Sequence, residues 1–480
     1  MDTANIKKLF KDFTGKEAKI FLPLPPAGSE RKYYRLGTDD GFSAIGAFNA
    51  DITENKAFLY LSLHFRSKLI SVPEIYRVSD DNMYYLMEDF GDIRLKDIVD
   101  ENTRNGEFPA NLIALYKRVL DNLIKFQVQG HEDLDYSVCY PRDSFDKRSI
   151  LWDLNHFKYF FLKLSHIPYN ENLLENDFQL LATNLDKISR SFFMFRDFQS
   201  RNIMVKNDEL YFIDYQGGRK GALQYDLASL LFESRTNIPP EVRKELFRYY
   251  YDELLRLKIV NNNDSESFQR DFMSFALIRQ LQAMGAYGLR GWIEGKPLFI
   301  QSIAYAVVNL EWILIDSSKS FDIYPEMLRV LTEITKNKKL RDKKEFNQEE
   351  LVVRIYSFSY FRGIPDDFSG NGGGYVFDCR HILNPGSYPE FKYLTGLDKE
   401  TETFFTENTT MHSFLNNVFP IIEMTVKRYL ERDFKNLQVC FGCTGGQHRS
   451  VYAAQKLFEH LQSTGTKAKI EHLELNELNR

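Results

Sequence analysis

Four cysteines in 480 residues, Cys139, Cys379, Cys440 and Cys443, are too few and too unevenly placed for a disulfide framework or a zinc site, and they point to a reducing cytoplasm. A long hydrophobic run is missing as well. The amino terminus, MDTANIKKLF, has no apolar core of a signal peptide, and the best apolar stretch, IAYAVVNLEWILI, is short and broken by Asn309 and Glu311. Neither secretion nor a membrane span is therefore expected. Nor is there an excess of positive charge: 62 Lys and Arg stand against 67 Asp and Glu, for a formal charge of −5. That balance gives no overall pull toward an anionic membrane or nucleic acid, so RNA is not favoured as a partner. The absence of any G-x4-G-K-[ST] stretch excludes a Walker-type nucleotide loop. No repeat of solenoid period occurs.

Large aromatic side chains are abundant, 40 Phe and 27 Tyr, and supply ample core material for the two or three domains that this length implies. Short β-rich runs, AKIFLPL, KYYRLG, FSAIGAF, VPEIYRV and MYYLMEDF, surround one helical segment, NKAFLYLSLHFRS, and make a small mixed lobe over about residues 1–90. Helical periodicity then dominates about 91–335, as in LIALYKRVLDNLIKFQ, where Leu112, Leu115, Leu120 and Leu123 are expected to share a buried stripe. Embedded in it are two short strands, NIMVKN and ELYFIDY, with Asn207 and Asp208 at the turn. Residues 336–348, TKNKKLRDKKEFNQ in the main, are nearly devoid of apolar side chains and read as a solvated linker. Beyond it, strands and helices alternate over 349–480, which predicts a compact α/β domain.

Two stretches carry chemistry. In FRDFQSRNIMV, Asp197 precedes Asn202 by five residues, and the following hairpin returns the chain through FID to Asp214. A carboxylate to orient or deprotonate an acceptor hydroxyl, with an amide and a second carboxylate to hold magnesium on phosphates, is what phosphoryl transfer from ATP requires. In VCFGCTGGQHRSVYAA, an apolar strand runs into a glycine-containing loop and then a helix. Converging backbone N–H groups, the positive end of the helix and the fork of Arg449 make that loop a candidate phosphate cradle. Cys443 and Arg449 also satisfy C-x5-R, the spacing of cysteine phosphatases, with Asp378 available as an acid.

FRDFQSRNIMV, YFIDYQGG and ALQYDLASLLFE, with AGSERKYYRL before them and RDFMSFALIRQLQAMGAYGLR after, resemble the aminoglycoside phosphotransferase superfamily, and within it the AmgK-type kinases of N-acetylmuramate and N-acetylglucosamine. This resemblance implies a protein-kinase-like bilobal α+β fold, ATP and Mg2+ as cofactors, and transfer to the anomeric hydroxyl of an amino sugar. By it, Asp197 is the catalytic base with Arg196 beside it, and Asn202 and Asp214 are the metal ligands. Met87, Glu88 and Asp89 form the hinge against adenine, and Gly28, Ser29 and Arg31 the loop over the phosphates. The chain departs from the family where a β-strand lysine is expected, in FSAIGAFN, leaving Arg31, Lys32 and Arg35 as candidates for the phosphate cation. Phe195 replaces a histidine, and Gly217 an acidic residue. Asp226 is either a helix cap or a buried buttress, and Arg279 and Gln282 either face the sugar or pack.

GCTGGQHRS, with LVVRIYSFSYFRGIP, FDCRHILNPG and YLTGLD, is similar to the carboxy-terminal domain of the RapZ family. The similarity implies that Cys443, Thr444, Gly445, Gly446, His448, Arg449 and Ser450 surround a phosphorylated amino sugar, with Asp378 and Arg380 nearby. Cys443 itself reads as a small buried residue rather than a nucleophile. The competing readings are a regulatory adaptor with an inactive kinase lobe and an RNA- or protein-binding second domain, and a two-headed enzyme with a phosphatase site. The oligomeric state is left open.

Overall fold

The computed structural model describes residues 2–24, 31–341, 350–365, 367, 374–432 and 434–475. Gly28, Ser29 and residues 342–348 of the linker lie outside them. The chain divides into two compact units, residues 1–285 with 305–341, and residues 286–304 with 342–480. Sequence reading assigned 286–304 to the first.

In the first unit, β1 (Ile20–Pro23), β2 (Lys32–Gly37), β3 (Ser43–Phe48), β4 (Ile75–Val78) and β5 (Tyr84–Glu88) form a sheet in the order β1-β2-β3-β5-β4. Every pairing is antiparallel. Side chains alternate across it. Leu36, Ala44 and Leu86 face α1 (Asp2–Thr14) and pack on Ile6, Leu9 and Phe10. The fit is tight at Gly46, where an added Cβ would lie 2.3 Å from Ile6 Cγ2 and 2.9 Å from Leu36 Cδ1. Between β3 and β4 comes α2 (Ile52–Ser67), capped by Asp51, whose carboxylate accepts from the Glu54 N–H at 3.1 Å.

The rest of the unit is mainly helical. In the helix Ala110–Ile124 the buried stripe is Leu112, Tyr116, Val119, Leu120 and Leu123; the expected Leu115 lies at its edge, only partly buried, and Tyr116 fills the place beside Leu112. The expected hairpin is β7 (Ile203–Lys206) and β8 (Glu209–Phe212), joined by Asn207 and Asp208 with φ of 52° and 62°. Two successive left-handed residues match the twist of a two-residue hairpin, and Asn and Asp tolerate that conformation best after glycine. β6 (Phe192–Met194) pairs with β9 (Arg219–Gly221) and brackets the catalytic-type loop. The helix Pro297–Phe321, which belongs to this unit from Tyr305 onward, contains a stretch, Leu298–Ser317, long and apolar enough to cross a membrane by length and composition, longer than the apolar run read from sequence. Half of that stretch is buried in the protein, and Asn309 within it accepts from Arg243 at 2.6 Å and donates to the Phe232 carbonyl at 3.0 Å. It is built as a core helix.

In the second unit, β10 (Val352–Ser359), β11 (Tyr375–Asp378), β12 (Asn436–Cys443) and β13 (Ala468–His472) form a wholly parallel sheet in the order β11-β12-β10-β13. All eight residues of β12 are buried, as a central strand covered on both faces requires. The helices Met411–Glu431 and Arg449–Ser463 contribute Leu415, Ile422, Leu457 and Leu461 to the core. Cys440 and Cys443 stand in C-x2-C spacing, so the cysteines are less unevenly placed than the sequence reading held, but an odd offset along a strand sends these two to opposite faces. All four thiols are free, and among the described residues no group of three or more His, Cys, Asp or Glu could hold a metal.

The contact of α1 with β3 yields a stability test. Gly46→Ala forces a methyl into Ile6 and Leu36, and overpacking of this kind costs about 1–3 kcal/mol. The urea midpoint of the purified protein should fall accordingly, and Ile6→Ala in the same chain should restore part of the loss.

Candidate functional site

A loop that must present one carboxylate to a cleft needs its backbone fixed from behind, and Asp226 fixes it. Fully buried in the helix Leu223–Leu231, its carboxylate accepts from the Phe195 N–H at 2.7 Å and the Arg196 N–H at 2.9 Å. Burial pushes Asp226 up to about 7, while these two donors pull the other way. It is thus the buttress of the two sequence alternatives. Phe195, in the histidine's place, is buried among Phe126, Phe198 and Tyr215 at ring distances of 5.3, 5.2 and 6.0 Å.

Arg196 follows with φ of 80°, and its guanidinium turns away from the cleft. It forms a two-bond fork with Asp153 at 2.8 and 2.6 Å, donates to the Tyr225 hydroxyl, and lies over the rings of Phe145 and Tyr225. Arg196 was grouped with the catalytic residues; the structure makes it a positioning residue, because its fork is spent on Asp153. Asp153 itself was missed. Its signal is a carboxylate in WDLNHF beside Ile150, Leu154 and Phe157, an apolar stripe where an unpaired charge has no place.

Asp197 emerges at the cleft with its side chain 40% exposed. Burial pushes its carboxyl up, but Arg279, with Arg196, Arg201 and Arg219 around it, outweighs that and holds it below the ordinary aspartate range. Arg279 Nη2 lies 3.3 Å from Asp197 Oδ1, while its Nε donates to Ser229 and its Nη1 to Gln282. Arg279 thus touches Asp197 directly, and Gln282 touches Arg279.

The expected metal pair also meets. Asn202 Nδ2 donates to the Asp197 carbonyl at 2.9 Å and lies 3.4 Å from Asp214 Oδ2, which leaves the amide oxygen to a cation. Asp214, φ 69°, is half-exposed and is oriented by Gln216 Nε2, 2.8 Å from Oδ1. An amide oxygen and a carboxylate on one wall are hard donors suited to magnesium. Across the cleft, Arg31 is buried and paired with Glu54 of α2, and its Nη1 stands 3.6 Å from Asp214 Oδ1. Glu54 was another residue missed from sequence.

The hinge needs correction in part. Met87 is buried on β5, but Asp89 is clamped by Arg35 at 2.7 and 3.0 Å, and Glu88 lies against Arg66 and the Glu74 N–H. Neither carboxylate is free, and of their main chain the Glu88 N–H donates to the Glu74 carbonyl at 2.9 Å while the Asp89 carbonyl accepts from Lys206 Nζ at 2.9 Å. Arg35, bonded also to Asp92 at 2.8 Å, is withdrawn from the candidate phosphate cations.

In the second unit the loop Thr444–His448 sits at the carboxyl ends of the parallel strands, next to the loops after β10 and β11, where open α/β sheets bind ligands. Gly446, φ 70°, must be glycine: a Cβ would meet Glu474 Cγ at 2.3 Å and the Ser359 nitrogen at 3.0 Å. Thr444 and Gly445 form the exposed crest, with nothing within 4 Å of a Cβ on Gly445. Arg449 does not clamp the loop's ligand as expected. Its Nη1 donates to the carbonyls of Arg380 and Ile382 at 2.9 and 3.1 Å, and its Nη2 to Thr444 Oγ1 at 3.3 Å, so it ties the β11 loop to the β12 loop. Cys443 is buried with its Sγ 3.1 Å from Ser450 Oγ, and His448 lies 3.1 Å from the Phe391 carbonyl, its basicity lowered by burial. Both terminal nitrogens of Arg449 are thus engaged, while its buried Nε has no hydrogen-bond partner among the described residues. Arg380 is instead the exposed guanidinium here, paired with Asp378 at 2.7 Å and 3.9 Å from the ring centre of Tyr360.

Residues 23–259 match the model of the phosphotransferase enzyme family, and residues 351–476 that of the RapZ C-terminal domain. A nucleotide-binding protein of Thermotoga neapolitana is 36% identical over 128 residues, 27% of this chain and 44% of that relative, so the chain spans less than half of its length. Another, of Fervidobacterium nodosum, is 28% identical over 253 residues, 53% of this chain and 80% of the relative. Among solved structures, choline kinase from Cryptosporidium parvum aligns with a TM-score of 0.47 at 12% identity, over 69% of this chain and all of that one (100%). Two segments of the chain thus match known families, residues 23–259 the phosphotransferase enzyme family and residues 351–476 the RapZ C-terminal domain.

Proposed function

We propose that the protein is an ATP- and magnesium-dependent kinase of an amino sugar, acting at the anomeric hydroxyl, and that its second unit binds a phosphorylated amino sugar. The observation that carries the kinase reading is the convergence of Asp197, Asn202 and Asp214 on one cleft wall. Asp197 orients the acceptor hydroxyl and takes its proton, while Arg279 fixes the carboxylate and keeps it ionised. Asn202 and Asp214 would hold the magnesium, which supplies charge neutralisation on the phosphates. An anomeric hydroxyl is more acidic than an ordinary alcohol, so a weakly basic carboxylate suits it. The choice of an amino sugar rests on the resemblance of the motifs. Four free thiols fit a reducing cytoplasm.

A phosphate ester at the Thr444–Gly445 crest would be met by loop N–H groups and by Arg380, with Arg449 keeping the two loops together. The fusion itself motivates a regulatory link, in which the sugar phosphate reports back to the kinase. A second reading of this unit, single-stranded RNA binding, has a specific observation behind it. Phe361 and Tyr393 are 84% and 85% exposed, and Arg380 stacks on Tyr360, which together make surfaces that stack nucleobases.

Phosphate transfer from ATP to a panel including N-acetylglucosamine and N-acetylmuramate should be found for one sugar and fall by at least about 100-fold in Asp197→Asn. Since its folded value is depressed, Asp197 stays charged above the ordinary aspartate value of about 4. The kcat/KM profile should therefore show no inflection from this base between about pH 5 and 8; an acid limb in that window, abolished in no other variant but Asp197→Asn, would contradict the assignment. For the second unit, titration of the whole protein with glucosamine-6-phosphate should give saturable binding that Arg380→Ala weakens, and the occupied protein should show a changed kinase rate. Steeply salt-dependent binding of single-stranded RNA, with none of the sugar phosphate, would support the second reading instead.

A further inference from the structure

Kinase-like folds usually anchor the nucleotide's phosphates with a lysine from the third strand, paired with an acid on the following helix. This chain keeps the acid, Glu54 on α2, and has no lysine in β3. On the outer face of β3, Gly46 has no room for any side chain, because Ile6 and Leu36 fill the space. On the inner face, Ala47 stands in register between Tyr33 of β2 and Tyr85 of β5 and offers only a methyl.

Arg31, at the head of β2, comes to the same place. Its side chain is 4% exposed, its Nη1 donates to the Tyr33 hydroxyl at 3.3 Å, and its Nη2 donates to Glu54, which Asn49 holds at 2.9 Å from the other side. One edge of the guanidinium is thereby fixed. The same Nη1 stands 3.6 Å from Asp214, beyond hydrogen-bond length, and on the other edge Nε has no hydrogen-bond partner among the described residues. Leaving donors of a buried guanidinium unfilled is costly, and a buried ion pair is rarely worth its desolvation for stability alone. The other candidates are placed elsewhere: Arg35 at Asp89, and Lys32 with its Nζ 5.6 Å from the ring centre of Phe48.

We infer that Arg31 is the cation that grips the polyphosphate of the nucleotide, reaching from the head of β2 into the position a β3 lysine would occupy, and that Glu54 positions it. A guanidinium there offers a planar fork to phosphate oxygens where an ammonium offers a point charge. The inference rests on the kinase reading, and the test separates the two.

Binding of MgATP and of adenosine to the whole protein is measured by calorimetry for the native chain, Glu54→Gln, and Arg31→Met combined with Glu54→Gln, which leaves no buried carboxylate unpaired. The double variant should bind MgATP about 10- to 100-fold more weakly than Glu54→Gln, with adenosine unchanged. Arg31→Met with Ala47→Lys, retaining Glu54, should recover most of the affinity by restoring a lysine to β3. If the double variant does not fold, Arg31→Gln is read against the native chain by the same ratio of ATP to adenosine. An ATP affinity within twofold of the reference, in whichever variant folds, overturns the role of Arg31 while leaving the kinase reading intact. A native chain that binds adenosine and ATP alike, or neither, overturns the kinase reading itself.

Discussion

The active wall of the first unit hangs on one buried carboxylate. Asp226 accepts from two successive N–H groups, of Phe195 and Arg196, and this holds Arg196 in a left-handed conformation that costs a non-glycine residue about 1–2 kcal/mol. Two hydrogen bonds, each worth about 0.5–1.5 kcal/mol even to an uncharged acceptor, are of the size needed to offset that strain. The kink they enforce sends Arg196 backward to Asp153 and Asp197 forward to the cleft.

Electrostatics at the cleft follow from that arrangement. Asp197 is enclosed by arginines, which hold its carboxyl below the ordinary aspartate range, and in the proposed kinase it would position the acceptor more than act as a strong base. On the opposite side, Asp214 is shared in prospect between a metal and Arg31. Opposing charges of this kind, kept just out of bonding contact, leave room for a ligand that carries both a dication and phosphates. A bare cluster of acids or of bases would repel one half of such a ligand.

Much of this was legible in the sequence because local pattern and local structure agree. All five strands of the small sheet, α2 and the hairpin carrying Asp214 follow from alternation, helical spacing and turn chemistry, and Asp197, Asn202 and Asp214 from their order around that hairpin. What failed concerned partners distant in the chain. Arg196, Asp89 and Arg449 look like ligand-facing groups in one dimension, and each proves to be consumed by a residue or carbonyl that the sequence does not place beside it. Asp153 and Glu54 were overlooked for the same reason. A carboxylate inside a helix shows its burial only when the element that covers it is known.

Arginine is the residue on which these failures concentrate, and there is a physical cause. Its five donors and permanent charge make it equally fit for a phosphate, a carboxylate or a row of main-chain carbonyls. Motif and spacing identify the guanidinium, and only the count of its filled donors identifies its role. By that count Arg196 is bound in a two-bond fork to Asp153 and holds structure together, while Arg449 gives both terminal nitrogens to neighbouring loops and keeps a buried Nε unfilled among the described residues. Arg31 spends Nη2 on Glu54 and Nη1 on Tyr33, with that Nη1 3.6 Å from Asp214 and Nε unfilled among the described residues. A fork half-filled inside a cleft is the arrangement that a ligand completes.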